Sequence, residues 1–250
     1  MSKYVFLLGR GIGYSLSPRL QGAAAAALNL PWEYKLLDVE PGDFAGALQR
    51  IVQPDCLGAN VTVPYKEQAA RQCQHLDETA ASLGAVNTLV NRAGTLWGCN
   101  TDPAGLKADL DRLGIPLDQR SVAILGAGGA AAAVLSLFPQ AKPVVVCRHR
   151  EQGEALSKRL GIFLRVLPWQ PLPPQDLVFN CTPSLSRWQA LVPEAETVYD
   201  LNYQEQYTLP NWHNGLGMLL FQGALAFQLW TGLPAPLEIM TETLNFAKPL

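Results

Sequence analysis

The order of segments along this sequence predicts an α/β protein, and three observations carry that expectation. Short β-branched or apolar runs alternate with longer helix-like stretches over the whole chain, which argues for mainly parallel sheets covered by helices on both faces. One of those runs, "SVAIL" at Ser121–Leu125, passes at once into "GAGGAAAAVLSLF", a glycine-rich turn that opens a helix. The composition also suits a substantial core: 48% of the 250 residues are hydrophobic and only 16% are charged, far from the balance of a disordered chain.

Taken in order, Val5–Gly9 reads as the first strand, followed by a glycine-rich turn. Ser17 and Pro18 then open a helix over "PRLQGAAAAALNL", with proline at its favoured place near the start. Glu33–Leu37 reads as a second strand and Asp43–Val52 as a helix. In "GANVTVPYKE" the alternation from Ala59 to Lys66 puts Val61, Val63 and Tyr65 on one face of a third strand. Asn60, Thr62, Pro64 and Lys66 fall on the other face, and Pro64, with no N–H to donate, helps to end the ladder. Glu67–Leu83 reads as one helix, and Val86–Asn91 and Leu96–Gly98 as short strands.

A second unit begins near Leu106–Leu113. Its strands are expected at Ser121–Leu125, Val144–Cys147, Phe163–Leu167, Leu177–Asn180 and Val198–Leu201. Helices follow the glycine turn and fill Glu151–Leu160, and residues 168–175, "PWQPLPPQ", form a proline-rich loop. From Gly215 to Leu237 there is no charged residue, which approaches membrane-spanning length. Gln222, Gln228, several glycines and two late prolines argue instead for a helix buried at a domain junction, where Gln222 needs a polar partner. The domains expected are therefore 1–103, 104–213 and a C-terminal helical segment, 214–250.

The formal net charge is −2 and Lys/Arg residues do not cluster, which excludes nucleic acid and anionic membrane as expected partners and points to a small molecule. The five cysteines have neither CxxC nor zinc-like spacing, as expected of free thiols in a reducing cytoplasm. The start, "MSKYVFLLGRGIGYS", goes straight from a strand-like run into glycines and lacks the apolar stretch of a signal peptide. The three histidines have no metal-ligand spacing, and no G-x-S-x-G elbow occurs.

Gly126, Gly128 and Ala131 fit the pattern G-x-G-x-x-[G/A] between a strand and a helix, with a second strand about twenty residues on. The turn Gly126, Ala127, Gly128, Gly129, Ala130 can bring backbone N–H groups against a pyrophosphate at the helix N-terminus. The second unit is therefore expected to be a Rossmann-type dinucleotide-binding domain, although the same glycines would also serve a plain strand-to-helix packing turn. An NAD site places an acid at the end of the next strand. Here the strand ends "VVVCRHRE", with Arg148 and Arg150 where guanidinium groups suit a ribose 2′-phosphate, so NADP is the expected cofactor. Glu151, beside them, is the acid that keeps NAD in view.

In the first unit, small polar groups gather at strand ends and loops: Ser15 and Ser17 in "YSLSP", Asn60, Thr62 and Lys66, Asn87 and Thr88 in "GAVNT", and Asn100, Thr101 and Asp102 in "CNTDP". Strand carboxyl ends line the ligand crevice of such folds, and hydroxyls and amides there suit a polyhydroxylated anion. Lys66 and Asp102 are the nearby groups with acid–base range. A hydride transfer at an alcohol needs a proton shuttled at the oxygen, which a desolvated lysine can do. Taken singly, each of these residues is as well explained by turns, caps or solvated charge.

The motifs "SLSP", "GANVTVPYK", "GAVNTL", "NTD", "GAGGA", "YDLNY" and "NGLGMLLFQGALAFQLW" occur in the order of the shikimate dehydrogenase family, which the chain resembles over essentially its full length. The resemblance implies an N-terminal α/β substrate domain, a Rossmann NADP domain and C-terminal helices that return to the first. It implies reversible NADP-dependent oxidation of shikimate to 3-dehydroshikimate, in the chorismate branch of aromatic amino-acid biosynthesis, by a cytoplasmic monomer or homodimer. By the same resemblance, Lys66 paired with Asp102 is the catalytic acid–base group. Ser15 and Ser17 hold the substrate carboxylate, and Asn60, Thr62, Asn87, Asp102 and Gln222 bind ring hydroxyls, with Tyr203 facing the substrate. Gly126 to Ala130 cradle the pyrophosphate, and Leu201 and Gly215 border the nicotinamide.

The chain departs from the family pattern in places. "GRGIGYSLSP" has Gly11 for proline and Tyr14 for histidine, and Gln21-Gly22 replaces the usual His-Asn. "CRHREQ" keeps Arg148 but loses the second arginine, for which Arg150 is a substitute, and Asn214 stands for an aspartate. A paralogue acting on quinate or a related hydroxy acid is the alternative enzyme reading, although paired serines resemble the shikimate-specific pattern more. A non-catalytic NADP-binding regulatory module would lack Lys66 or Asp102, and both are present.

Overall fold

The computed structural model of the chain describes residues 3–118, 121–139, 142–182, 188–192, 194–204 and 211–245. It divides into two compact units, one of Met1–Gly105 with Leu219–Leu250, the other of Leu106–Met218. The first unit runs β1 (Lys3–Gly9), α1 (Ser17–Ala27), β2 (Trp32–Asp38), α2 (Phe44–Ile51), β3 (Cys56–Val61), α3 (Lys66–Gln72), β4 (His75–Leu76), α4 (Glu78–Leu83), β5 (Thr88–Arg92) and β6 (Thr95–Cys99). Helix α5 (Asp102–Arg112) leads out of it. The second unit contains β7 (Val122–Leu125), α6 (Gly129–Leu135), β8 (Val144–Val146), α7 (Arg150–Leu160), β9 (Arg165–Leu167), β10 (Gln175–Asn180), β11 (Ala195–Asp200) and β12 (Trp212–Asn214). Helix α8 (Leu216–Thr231) leads back, and α9 (Leu237–Thr243) follows.

The sheet of the first unit has the order β2-β1-β3-β5-β6-β4. The pairs β1–β2, β1–β3 and β4–β6 are parallel, whereas β3–β5 and β5–β6 are antiparallel. The antiparallel part follows from turn chemistry. Arg92 pairs with Thr95, and the two residues between them, Ala93 and Gly94, both have positive φ, 51° and 87°. That is the tight hairpin connection, which only antiparallel strands can use. Strand β1 is buried on both faces, which explains its unbroken apolar run. Val5 and Leu7 join a core with Leu20, Trp32, Phe227 and Trp230, while Phe6 and Leu8 join Phe44, Ile51, Ala59, Val61 and Tyr65.

Two local expectations fail, for identifiable reasons. The alternation of Ala59–Lys66 stops at Val61, the last residue of β3. Val63 is 67% exposed while Tyr65 is buried, so the two do not share a face. The Tyr65 N–H donates to Thr62 O and its hydroxyl to Val39 O, so the chain turns, and Lys66 opens α3. The single helix expected over Glu67–Leu83 is two helices separated by β4. The backbone of Gln74 and Asp77 is taken by the edge of the sheet, donating to Leu96 O and Gly98 O. Asp77 then starts α4 afresh, its Oδ1 accepting from the Ala80 N–H as an N-cap.

The uncharged C-terminal run is α8, whose Leu220, Ala224, Phe227 and Trp230 pack in the same core as Met240 of α9 and Leu244 just after it. Among the described residues no helix is long and apolar enough to cross a membrane.

The second unit holds an all-parallel sheet of order β12-β11-β10-β7-β8-β9. Counted from its own first strand, this is the 3-2-1-4-5-6 order of doubly wound dinucleotide folds, with the switch point between β7 and β10. The terminal strand β12 has no counterpart in the strands expected from sequence. It is only three residues long and pairs with β11 from Val198↔Trp212 to Asp200↔Asn214.

Candidate active site

Three strand ends converge in the first unit. Asn60 lies near the end of β3 and pairs with Thr88, the first residue of β5, which in turn pairs with Cys99 at the end of β6. Asn87 immediately precedes β5, and Asn100 and Thr101 link β6 to Asp102 at the start of α5. The Val86 N–H donates to Lys66 O at 2.9 Å, which ties the first residue of α3 to the same place. Lys66 Nζ then donates to Asp102 Oδ2 at 2.6 Å, with the side chains only 16% and 6% exposed. So placed, the pair is screened far less than a surface ion pair. Asp102 also sits in the first turn of α5, where a carboxylate suits the helix dipole.

The other oxygen of Asp102 is held by an amide. Asn87 Nδ2 donates to Asp102 Oδ1 at 2.7 Å and to Thr101 Oγ1 at 2.9 Å. Gln222 Oε1 lies 3.5 Å from the same nitrogen, and its Nε2 donates to Leu219 O at 2.9 Å, which supplies the polar partners expected for it. Asn60 is committed within the protein: its Nδ2 donates to Asn87 O and Thr88 Oγ1, and its Oδ1 accepts from the Tyr34 hydroxyl at 2.8 Å. Nothing in the sequence pattern marks Tyr34, because it alternates with Trp32 on the apolar face of β2. The requirement that a buried tyrosine hydroxyl find a partner was the available signal.

Thr62 follows β3, and its hydroxyl makes no hydrogen bond among the described residues. Ser15 Oγ accepts from the Ser17 N–H at 3.2 Å, and Asp38 accepts from the Gly11 and Ile12 N–H groups, so a carboxylate braces the loop that carries the serines. The Gly11 interaction depends on the departure from proline, which has no N–H.

Helices α5 and α8 meet at Gly105. A Cβ added there would lie 2.6 Å from the backbone N of Gln222. We expect Gly105→Ala to force these helices apart at a cost of about 1–3 kcal/mol, the usual penalty of overpacking. Denaturant unfolding checks this, and a stability equal to wild type would contradict the contact.

In the second unit, Gly126 immediately follows β7 with φ +103°, a conformation that other residues rarely adopt. A Cβ there would lie 3.2 Å from Cys181 O, just past the end of β10. The turn therefore sits at the switch point. Helix α6 begins at Gly129 without a side-chain cap, and a Cβ on Gly128 would meet nothing within 4 Å, so the approach to the first-turn N–H groups is open. Backbone donors at an uncapped helix start beside open space suit a pyrophosphate, and Ala127 and Ala130 lie in the same turn.

Arg148 follows β8, is exposed, and makes no hydrogen bond or ion pair among the described residues. Arg150 is instead paired with Glu154 at 2.7 Å, and that hydrogen bond holds the guanidinium above its ordinary pKa. Glu151 lies 3.5 Å from His149 Nδ1. Leu201 and Gly215 are in contact, since a Cβ on Gly215 would lie 2.2 Å from Leu201 O, and Tyr203 is half-buried just beyond them.

A buried network at the ends of β10 and β11 was not anticipated. Asn180 Nδ2 donates to Asp200 Oδ1, which also accepts from the Asn202 N–H and Nδ2, and Thr182 bonds back to Asn180 Oδ1. A polar residue closing an otherwise apolar strand, as Asn180 and Asp200 both do, was the signal available.

A switch-point glycine turn in a doubly wound sheet, together with a buried lysine–aspartate pair in a nest of amides, defines a dinucleotide-dependent oxidoreductase. Residues 7–89 match the family model of the shikimate dehydrogenase substrate binding domain, and residues 215–244 that of the shikimate 5′-dehydrogenase C-terminal domain. The chain is 38% identical to shikimate dehydrogenase (NADP(+)) of Moorella thermoacetica, across 97% of this chain and 92% of that one. It is 36% identical to the protein of the same name from Xanthomonas oryzae pv. oryzae, across 93% and 92%. The structure of shikimate 5-dehydrogenase from Thermus thermophilus in complex with NADP(H) and shikimate superposes with a TM-score of 0.83 at 31% identity, covering 97% of this chain and 98% of that one. The chain belongs to the shikimate dehydrogenase family.

Proposed function

We propose that the protein catalyses the reversible oxidation of shikimate to 3-dehydroshikimate with NADP. The observation that carries this reading is the Lys66–Asp102 contact at 2.6 Å, because oxidation of an alcohol needs a proton acceptor held beside the carbon that loses hydride. In the oxidation direction Lys66, in its amine form, takes the proton of the reacting hydroxyl. In reduction the ammonium returns it to the carbonyl oxygen. Asp102 orients Lys66. Asn60, Thr62, Asn87, Asp102 and Gln222 would hold ring hydroxyls, and Ser15 and Ser17 would donate to the substrate carboxylate. Tyr203, by the family resemblance, would also face the substrate.

The cofactor, when bound, accepts the hydride. The turn of Gly126, Ala127, Gly128, Gly129 and Ala130 would hold its pyrophosphate, Arg148 the 2′-phosphate with Arg150 as a secondary charge, and Leu201 and Gly215 the nicotinamide. The five cysteines are free thiols, which supports placing the reaction in a reducing cytoplasm.

The test offers shikimate and quinate, each with NADP and with NAD, to the purified protein and follows the absorbance of the reduced nicotinamide. The fastest turnover is expected for shikimate with NADP. Reduction only with quinate, or with no pair, would overturn the reading.

A further inference from the structure

The amides around Asp102 are oriented by main-chain groups, and the orientation makes one continuous file of donors. The Asn87 carbonyl can only accept, so the Asn60 amide must turn its Nδ2 toward it, at 3.2 Å. That places Asn60 Oδ1 opposite the Tyr34 hydroxyl, which donates to it at 2.8 Å. Asn60 Nδ2 also reaches Thr88 Oγ1 at 3.1 Å. The Thr88 oxygen therefore accepts on that side, and its own proton is directed to Asn87 Oδ1 at 2.9 Å. The Thr101 N–H, which can only donate, meets the same Asn87 Oδ1 at 2.9 Å. Asn87 must then turn Nδ2 toward Asp102 Oδ1, at 2.7 Å. Lys66 meets the remaining oxygen, Oδ2.

We propose that Thr88 is a positioning residue for the proton-transfer pair, acting through Asn87 to hold the Asp102 carboxylate square to Lys66. This rests on the catalytic reading of Lys66 given above. Thr88 is fully buried, 0% exposed, as the first residue of β5. It is the hinge of the file: its hydroxyl is both the acceptor for Asn60 and the donor to Asn87, a double duty that an apolar side chain cannot perform. With both oxygens of Asp102 occupied by donors, the carboxylate acts as a fixed acceptor and Lys66 is the member of the pair that moves the proton. Losing the hydroxyl leaves Asn60 Nδ2 short of an acceptor and Asn87 Oδ1 held only from the Thr101 side, so the amide facing Asp102 is no longer clamped.

The test compares Thr88→Val, which keeps the shape and removes the hydroxyl, with Thr88→Ser, which keeps the hydroxyl and removes the methyl. With shikimate and NADP, Thr88→Val is expected to lower kcat about tenfold, the size of effect when one hydrogen bond holding a catalytic group is lost, with KM for shikimate within about threefold. Thr88→Ser is expected to return kcat to within about threefold of wild type. Equal losses in both variants would assign the effect to packing and overturn the proposal, as would an unchanged kcat in Thr88→Val.

A second measurement does not depend on turnover. Solvent exchange of the Asn87 side-chain amide protons, followed by nitrogen-15 NMR, should be slow in the wild type and in Thr88→Ser and fast in Thr88→Val. Equally slow exchange in all three would overturn the donor file itself. A wild type with slow exchange but no shikimate oxidation would overturn the functional reading and leave the file standing.

Discussion

Replacing Lys66 with alanine is expected to lower kcat by about a thousandfold, within the range that a general acid–base group contributes, and to leave shikimate affinity within a few-fold of wild type. The two effects separate because different residues serve binding and chemistry. On the proposed roles, the hydroxyls and amides of Ser15, Ser17, Thr62 and Asn87 would remain to bind the substrate, while no other cation contacts Asp102 among the described residues. Stability is a separate cost. Asp102 is 5% exposed, and removing its cation leaves a buried carboxylate supported, among the described residues, only by Asn87 and the start of α5. Folding is therefore to be checked by NADP binding, which uses the second unit. A variant that binds NADP normally and retains near-normal turnover would remove Lys66 from the mechanism.

Arg148→Ala is expected to weaken NADP binding by about 10- to 100-fold, the loss of one charge-assisted hydrogen-bonding partner, and NAD binding by no more than about twofold on the same grounds. Arg148 is exposed and uncommitted among the described residues, free to meet a 2′-phosphate. Arg150 is already engaged by Glu154, so Arg150→Ala should have the smaller effect. Titration of both cofactors by fluorescence or calorimetry reads the difference. Equal weakening for NADP and NAD would defeat the 2′-phosphate role of Arg148.

Much of the fold was legible from local patterns. "SVAIL" before "GAGGA" located β7, the switch-point turn and α6, because a buried parallel strand must be apolar on both faces and the turn after it needs glycine. The failures cluster where the backbone has partners far away in sequence. The split of Glu67–Leu83 into α3, β4 and α4 depends on Leu96 O and Gly98 O, which lie some twenty residues downstream. The turn after Val61 looked like continued alternation because alternation records only side-chain type, whereas Tyr65 is buried through a hydrogen bond to Val39.

The candidate site divides the same way. Lys66, Asn87, Asp102 and Gln222 could be singled out by chemistry and motif, since each is a polar residue at a strand end or inside an apolar run. Tyr34 and the orienting role of Thr88 could not, since a tyrosine on an apolar face and a threonine in a strand each fit a bland explanation.

By itself the sequence determined the α/β class, the two-unit plan, the glycine turn and the identity of the groups with acid–base range. These follow from side-chain type and short-range spacing, which act within a few residues. Only the tertiary structure decided that Lys66 and Asp102, 36 positions apart, meet at 2.6 Å, and which way each amide between Tyr34 and Asp102 points. An amide side chain can present either its oxygen or its nitrogen. The choice belongs to the carbonyl or N–H that the fold brings opposite it, here Asn87 O and the Thr101 N–H.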